Sequence, residues 1–177
     1  MNLNDLFPVQ AELDNHIVEE HDLQGQDLIK KKTIALICEL YECVNEARFF
    51  KFWSKDQKAR NLIYTWIDIE GNEVKSKNPP SAYDNYVHLE EQNPLLEEYV
   101  DIIHFALSIS NDLGYAEHKY IEPDYHDLND LTIGITNLAT LIPEARYQRH
   151  ISTLLNFIIK LGYQLGFDEE TVKQAYF

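Results

Sequence analysis

Apolar residues recur at intervals of three and four along most of this chain, and that spacing is typical of amphipathic α-helices. We expect helices wherever this period persists between turn-forming residues. The predicted helices span residues 3–23, 28–53, 56–67, 94–113, 127–143, 144–165 and 169–177. The sequence therefore predicts an all-α fold, a helical bundle in which residues 1–177 form one domain.

The predicted helix ends rest on capping residues. Asn93 stands before a proline and Asp127 before a helical stretch, which favours an N-cap at each position. Asp168 is a third predicted N-cap, and Gly114 and Gly166 are predicted to end the helices that precede them.

The stretch between the third and fourth predicted helices is the least regular part of the chain. Residues 69–88 contain Gly71-Asn72 and Pro79-Pro80, which favours a surface loop. An alternative stays open, in which residues 63–74 form a β-hairpin with Gly71-Asn72 as its turn.

Charge and cysteine content narrow the functional classes. The 177 residues carry a net charge of −15, which argues against a partner that is a long nucleic acid and leaves room for a small nucleotide bound with its own Mg²⁺. No run of 18 apolar residues predicts a membrane span, and the first residues lack the pattern of a signal peptide. Cys38 and Cys43 lie on one predicted helix, where they cannot form a disulfide, so we expect a reducing, cytoplasmic location.

Acidic residues interrupt two of the apolar helices. Glu39, Glu42 and Glu46 fall within about 60° of one another around a helix, and Glu98 and Asp101 lie one turn apart. Like charges at this spacing destabilise a helix by roughly 0.2–0.5 kcal/mol per pair, so a cation is expected to neutralise them. Oxygen ligands alone favour Mg²⁺, with Mn²⁺ as the alternative.

If the two helices pack side by side, their carboxylates would hold one to three Mg²⁺ ions. Such ions neutralise phosphate charge in a transition state and lower the pKa of a bound water. A solvated acidic face, a non-catalytic binding protein and a di-iron bundle stay open as alternatives. The di-iron bundle needs Glu-x-x-His on two helices, and Asp101-x-x-His104 is the nearest match.

The spacing Glu-x-x-Glu followed by Glu-x-x-Asp resembles that of the MazG-like all-α nucleoside triphosphate pyrophosphohydrolases. The longer strings are similar to three motifs of the dimeric all-α dUTPase family, in the correct order. These strings are Leu6-Phe7-Pro8-Val9-Gln10-Ala11-Glu12-Leu13-Asp14-Asn15-His16-Ile17, then Glu39-Leu40-Tyr41-Glu42-Cys43-Val44-Asn45-Glu46 with Phe50-Lys51-Phe52-Trp53, then Glu98-Tyr99-Val100-Asp101-Ile102-Ile103-His104-Phe105.

The resemblance implies an Mg²⁺-dependent homodimer that hydrolyses dUTP to dUMP and pyrophosphate and so removes dUTP from the nucleotide pool. A sister enzyme acting on another deoxynucleoside triphosphate is the alternative. The metal ligands implied are Glu39, Glu42, Glu98 and Asp101. Glu39 and Glu42 are the implied catalytic pair, with Glu39 also orienting the attacking water.

The resemblance also implies a substrate pocket. Gln10 would hydrogen-bond the uracil edge, Trp53 would stack on the base, and His104 and Phe105 would lie against the deoxyribose. Lys51 is a candidate phosphate contact. Core packing or exposure to solvent is the ordinary alternative role for each of these five residues.

The chain departs from the family pattern near its last residues. Members usually continue past an Ala-Tyr pair into a basic tail that binds the phosphates. This tail contains a Lys, an Asn and an Arg. In this sequence, Ala175 and Tyr176 are followed by Phe177, so we expect Mg²⁺ to offset more of the phosphate charge here.

Overall fold

The computed structural model describes residues 1–81 and 86–177 of the chain. Within those ranges it contains six helices and a small antiparallel sheet. The elements are α1 (Leu6–Glu20), α2 (Ile29–Ala47), β1 (Ile63–Asp68), β2 (Glu73–Ser76), β3 (Tyr86–Gln92), α3 (Pro94–Asp112), α4 (Leu128–Ala145), α5 (Gln148–Leu165) and α6 (Glu169–Tyr176). The predicted helical fold is confirmed, with the sheet as an addition.

Helix α3 is the central element of the bundle. It packs against α2 over most of its length and also contacts α1, α5 and α6, while α4 packs against α5 and α2. Apolar side chains at helical spacing meet between these helices and exclude water, which is the main source of their stability. The fully buried core includes Phe7, Leu36, Leu40, Ile102, Ile103, Leu107, Ile135 and Ile158.

The predicted helix caps form as expected. The Asn93 side chain accepts from the Leu96 amide at 3.1 Å, and Asp127 accepts from two amides of the first turn of α4. Asp168 caps α6, and Gly166 has a φ of 92°, a left-handed conformation that glycine adopts without a steric penalty. Because these signals are local, the sequence alone is enough to read them.

Three predicted helices extend too far, and the first of them, predicted over residues 3–23, spans only Leu6–Glu20 as α1. Helix α2 ends at Ala47 and not at residue 53, because Arg48 turns left-handed with a φ of 64° and its guanidinium binds the Asp56 carbonyl oxygen at 2.7 Å. Helix α5 begins at Gln148, four residues later than predicted, after a second left-handed residue, Arg146. Pro143 lies in the last turn of α4, near the end that it was predicted to cause.

The predicted helix over residues 56–67 is wrong. Residues 56–62 form neither helix nor strand, and β1 follows them. β1 alternates β-branched and aromatic residues and pairs on both edges, with β2 and with β3, in the order β2-β1-β3. Pairing on two edges satisfies its backbone groups, which outweighs a helical period in so short a segment.

The hairpin alternative is confirmed. Trp66 lies opposite Val74, and the Asp68 carboxylate accepts from the Glu70 and Asn72 amides at 2.9 Å, which closes the turn at Gly71. The surface-loop prediction for residues 69–88 is therefore wrong at β2 and at the start of β3. Residues 82–85 of that prediction lie outside the described residues.

The sheet leads directly into the central helix. β3 ends at Gln92, next to the α3 N-cap, and the Leu95 amide donates to the Arg60 carbonyl oxygen at 3.2 Å. The start of α3 is thus tied to the segment before β1. Among the described residues, no helix is both long enough and apolar enough to cross a membrane.

Candidate active site

Three carboxylates from α2 and α3 converge where these helices pack. Glu39, Glu98 and Asp101 each offer an oxygen, and the three oxygens lie within 4.8 Å of one another. All three side chains are partly exposed at the helix junction. An oxygen-only donor set of this size fits a hard divalent cation such as Mg²⁺.

Glu42 lies beside this group and outside it. Its residue is exposed, one turn beyond Glu39 on α2, and its charge raises the pKa of both Glu39 and Glu98. As a metal ligand Glu42 stays a prediction.

The electrostatics of the cluster disfavour four free carboxylates. Partial burial, followed by the negative charge of Glu42, Glu39 and Asp101, raises the pKa of Glu98 to about 7. Burial also raises the pKa of Glu39, with Asp101 and Glu42 adding to the shift, while a hydrogen bond from Glu98 lowers it. In the absence of a cation, the cluster thus binds a proton at a higher pH than isolated carboxylates do.

Glu46, the remaining acid on the same face of α2 as Glu39 and Glu42, has a structural partner. Glu46 pairs with Arg60 at 3.1 Å, and its backbone carbonyl accepts from the Arg60 amide at 3.0 Å. Since Arg60 also holds the start of α3, this pair links α2 to the sheet and to α3.

A cavity of about 500 Å³ opens next to the acid cluster, between α1, α2 and α3. Its volume is in the range of small-molecule sites. Gln10, Asp101, His104 and Phe105 line it together with apolar side chains of α1 and α2. Asp101 belongs to both the cavity wall and the acid cluster, so a bound molecule could reach from one to the other.

Gln10 is buried at the wall of this cavity and hydrogen-bonds to three neighbours. Its Nε2 donates to Asp14 Oδ1 at 2.8 Å, and its Oε1 accepts from the Tyr176 hydroxyl at 2.6 Å. Nδ1 of His104 lies 2.8 Å from the same oxygen. The ring of Tyr176 stacks on the His104 imidazole with centroids 3.9 Å apart.

Sequence analysis missed the polar residues Asp14 and Ser108 of this cavity, and also Tyr176, which contacts Gln10 and His104 without lining the cavity. Asp14 follows Gln10 by one helical turn, and Ser108, whose hydroxyl donates to Asp14 at 2.7 Å, follows His104 by one turn. The same helical-face argument that grouped the acids would have found both. Tyr176 carried no such signal, because it comes from α6 at the far end of the sequence.

The structure does not bring Trp53 and Lys51 to the pocket. Trp53 is 65% exposed and packs edge-on against Phe50 and Phe52, and neither Trp53 nor Lys51 lines the cavity in the described part of the chain. Lys51 donates to the Asn45 side chain at 2.6 Å.

The basic residues nearest the cavity are two lysines of α2 that sequence analysis did not single out. Lys31 and Lys32 line the cavity, and Lys32 pairs with Asp112 at 2.6 Å and with Asp14 at 3.6 Å. Lys32 therefore neutralises the carboxylates on the polar side of the pocket.

Comparison with protein families agrees with this geometry. The model of a family described as dUTPase matches residues 2–69 and 85–177, which include both acid blocks and the cavity residues. No significant match to a curated protein or to a solved structure was found. Since the family model covers nearly the whole chain, the protein belongs to the all-α dUTPase family.

Proposed function

We propose that the protein hydrolyses dUTP to dUMP and pyrophosphate with Mg²⁺ as cofactor, and that it does so as a cytoplasmic homodimer. Family membership supports hydrolysis of dUTP in general. The observation that carries the finer proposal is the convergence of Glu39, Glu98 and Asp101 beside a nucleoside-sized cavity.

In this proposal the acid cluster binds the cation, and the cation in turn binds the phosphates. Glu39, Glu98 and Asp101 bind Mg²⁺, and the exposed Glu42 beside them is the fourth ligand. Mn²⁺ is the alternative ion. The bound ion supplies positive charge against the phosphate oxygens. Glu39 orients the attacking water and takes its proton.

The cavity holds the nucleoside. Gln10 supplies polar groups for the base, His104 lies against the deoxyribose, and Phe105, half-buried in the wall, occupies the space that a 2′-hydroxyl would need. Trp53 is 65% exposed, and neither it nor Lys51 lines the cavity of its own subunit, which supports a role at the site of a second subunit, where Trp53 would wall the base and Lys51 would contact phosphate.

The experiment is a panel of deoxynucleoside triphosphates incubated with Mg²⁺, with pyrophosphate and monophosphate measured as products. We expect dUTP to be the preferred substrate. Preference for another nucleotide would support the sister enzyme, and release of no pyrophosphate from any of them would leave a non-catalytic binding protein.

The metal site is tested by Asp101→Asn, which removes a charge and keeps the side-chain shape. We expect a loss of kcat of about a hundredfold or more, because the variant weakens both cation binding and charge stabilisation. Glu97→Gln is the matched control, since Glu97 neighbours Glu98 on α3 and is exposed outside the group of three. Normal turnover in Asp101→Asn would refute the site.

A further inference from the structure

The amide of Gln10 can take one orientation only. Asp14 lies 2.8 Å from its Nε2 and also pairs with the Lys32 ammonium, so it acts as a carboxylate, which accepts hydrogen bonds and donates none. Rotating the amide by half a turn would set a carbonyl oxygen against a carboxylate oxygen. Asp14 thus fixes which end of the Gln10 amide carries hydrogens.

This orientation determines the tautomer of His104. With Oε1 of Gln10 as an acceptor, the atom 2.8 Å away, His104 Nδ1, must carry the hydrogen. Burial lowers the pKa of His104, which favours the neutral ring. In a neutral imidazole with a protonated Nδ1, Nε2 is a bare acceptor, and it makes no hydrogen bond to the residues that the structure describes.

Tyr176 supports the same arrangement from α6. Its hydroxyl donates to Gln10 Oε1 at 2.6 Å, and its ring stacks on the imidazole that donates to the same oxygen. The two donors leave that oxygen without capacity for a third strong partner. The substrate therefore meets His104 Nε2 and the second hydrogen of Gln10 Nε2.

We propose that Asp14 and Tyr176 are positioning residues that fix Gln10, and through it the tautomer of His104, so that the pocket presents a Gln10 N–H donor to the base and a His104 acceptor to the deoxyribose. This inference rests on the proposed function. Uracil carries a carbonyl oxygen at C4, which can accept from that donor, whereas cytosine carries an amino group there, which itself donates. The arrangement selects dUTP over dCTP.

The first measurement needs no substrate. Nitrogen-15 chemical shifts of the His104 ring in the free, full-length protein report which ring nitrogen is protonated. We expect Nδ1–H in the wild type. We expect a mixture of tautomers in Asp14→Ala, because the Gln10 amide is then free to turn.

The second measurement is the ratio of kcat/KM for dUTP to that for dCTP. We expect this ratio to fall about tenfold in Asp14→Ala and about threefold in Tyr176→Phe, which keeps the stacked ring and removes the donor. The loss should appear mainly as a higher KM for dUTP, because neither variant touches the acid cluster.

Each variant has a matched control. Asp112→Ala also removes a carboxylate partner of Lys32, but Asp112 does not contact Gln10. Tyr120→Phe removes a buried hydroxyl that has no hydrogen-bond partner among the described residues. Both controls should keep the wild-type tautomer and ratio, and melting temperatures check that every variant is folded.

Three results would overturn the inference: a wild-type His104 protonated on Nε2, a folded Asp14→Ala variant with unchanged tautomer and ratio, or an equal change in Asp112→Ala. A wild type that does not hydrolyse dUTP refutes the proposed function instead. The tautomer measurement still decides the positioning role in that case.

Discussion

At the scale of single residues, Glu98 shows most directly how the site depends on its charges. Its pKa is raised to about 7, mainly because the carboxyl is partly buried and then because four acids lie nearby. In the folded, metal-free protein the group therefore binds a proton that the unfolded chain releases near its usual value of 4.5. Through this group, stability falls as pH rises from about 4.5 to about 7.

This predicts a pH-dependent effect of Glu98→Gln in the presence of a chelator. The melting temperature of the variant minus that of the wild type should increase as pH rises from about 5 to about 7. This difference should level off above about pH 8. The difference between the two proteins is the quantity to measure, because His104 and His118 have lowered pKa values and act in the opposite direction in both. A difference that is constant with pH would contradict this account.

Phe105 gives a second prediction at this scale. Phe105→Ala opens the cavity wall, so selection against UTP should weaken by about tenfold in the ratio of kcat/KM values for dUTP and UTP. Phe49→Ala is the control, because Phe49 is also a half-buried aromatic and lies outside this cavity. Equal ratios in wild type and Phe105→Ala would leave Phe105 as a packing residue.

The sequence could predict the grouping of those site residues that lie one helical turn apart. Glu39, Glu98 and Asp101 follow from spacing within a helix and from the packing of two apolar faces. The placement of Tyr176 against Gln10 depends on how α6 meets α1, and no local pattern encodes that contact. Trp53 was expected at the base and lies apart, because α2 ends before it.

At the scale of elements, the close approach of α5 to α3 depends on a glycine. A Cβ at Gly162 would overlap the hydroxyl of Tyr99, which is fully buried and donates to the Ile158 carbonyl oxygen at 3.0 Å. Gly162→Ala should therefore destabilise the protein by about 1–3 kcal/mol, even though alanine favours a helix by up to about 1 kcal/mol.

Thermal unfolding of four variants, Gly162→Ala, Gly134→Ala, Tyr99→Phe and the double variant, tests this contact. A Cβ at Gly134 would lie 2.6 Å from the ring of Phe157, which is 8% exposed whereas Tyr99 is fully buried, so Gly134→Ala should cost less than Gly162→Ala. Adding Tyr99→Phe to Gly162→Ala should cost less than the sum of the single changes, because the nearest overlapping atom is gone. Additive costs would show that the two residues do not clash.

Elements differ in how far the sequence determines them. Asn93, Asp127 and Asp168 fix the starts of three helices because each cap bonds within its own first turn. β1 was assigned to a helix because its conformation depends on partners that both follow it in the chain, one of them more than 20 residues away. Non-local pairing of this kind overrides a weak local period.

At the scale of the whole molecule, the net charge of −15 opposes folding through self-repulsion. Monovalent salt should raise the melting temperature modestly by screening. Mg²⁺ at equal ionic strength should raise it further, because in the proposed function it binds the native state at Glu39, Glu98 and Asp101. The extra gain should vanish in Asp101→Asn, and equal effects of NaCl and MgCl₂ on the wild type would refute specific binding.

The bond between Tyr176 and Gln10 joins residues 166 positions apart in the chain. A ribosome must therefore synthesise nearly all of this sequence before the hydroxyl that fixes the Gln10 amide exists. A nascent chain can build α1, α2 and α3, and so gather the acids, Asp14 and Phe105, while one of the two contacts proposed to fix the Gln10 amide is still missing. The contact that completes the proposed base selection thus forms only after α6 has been synthesised.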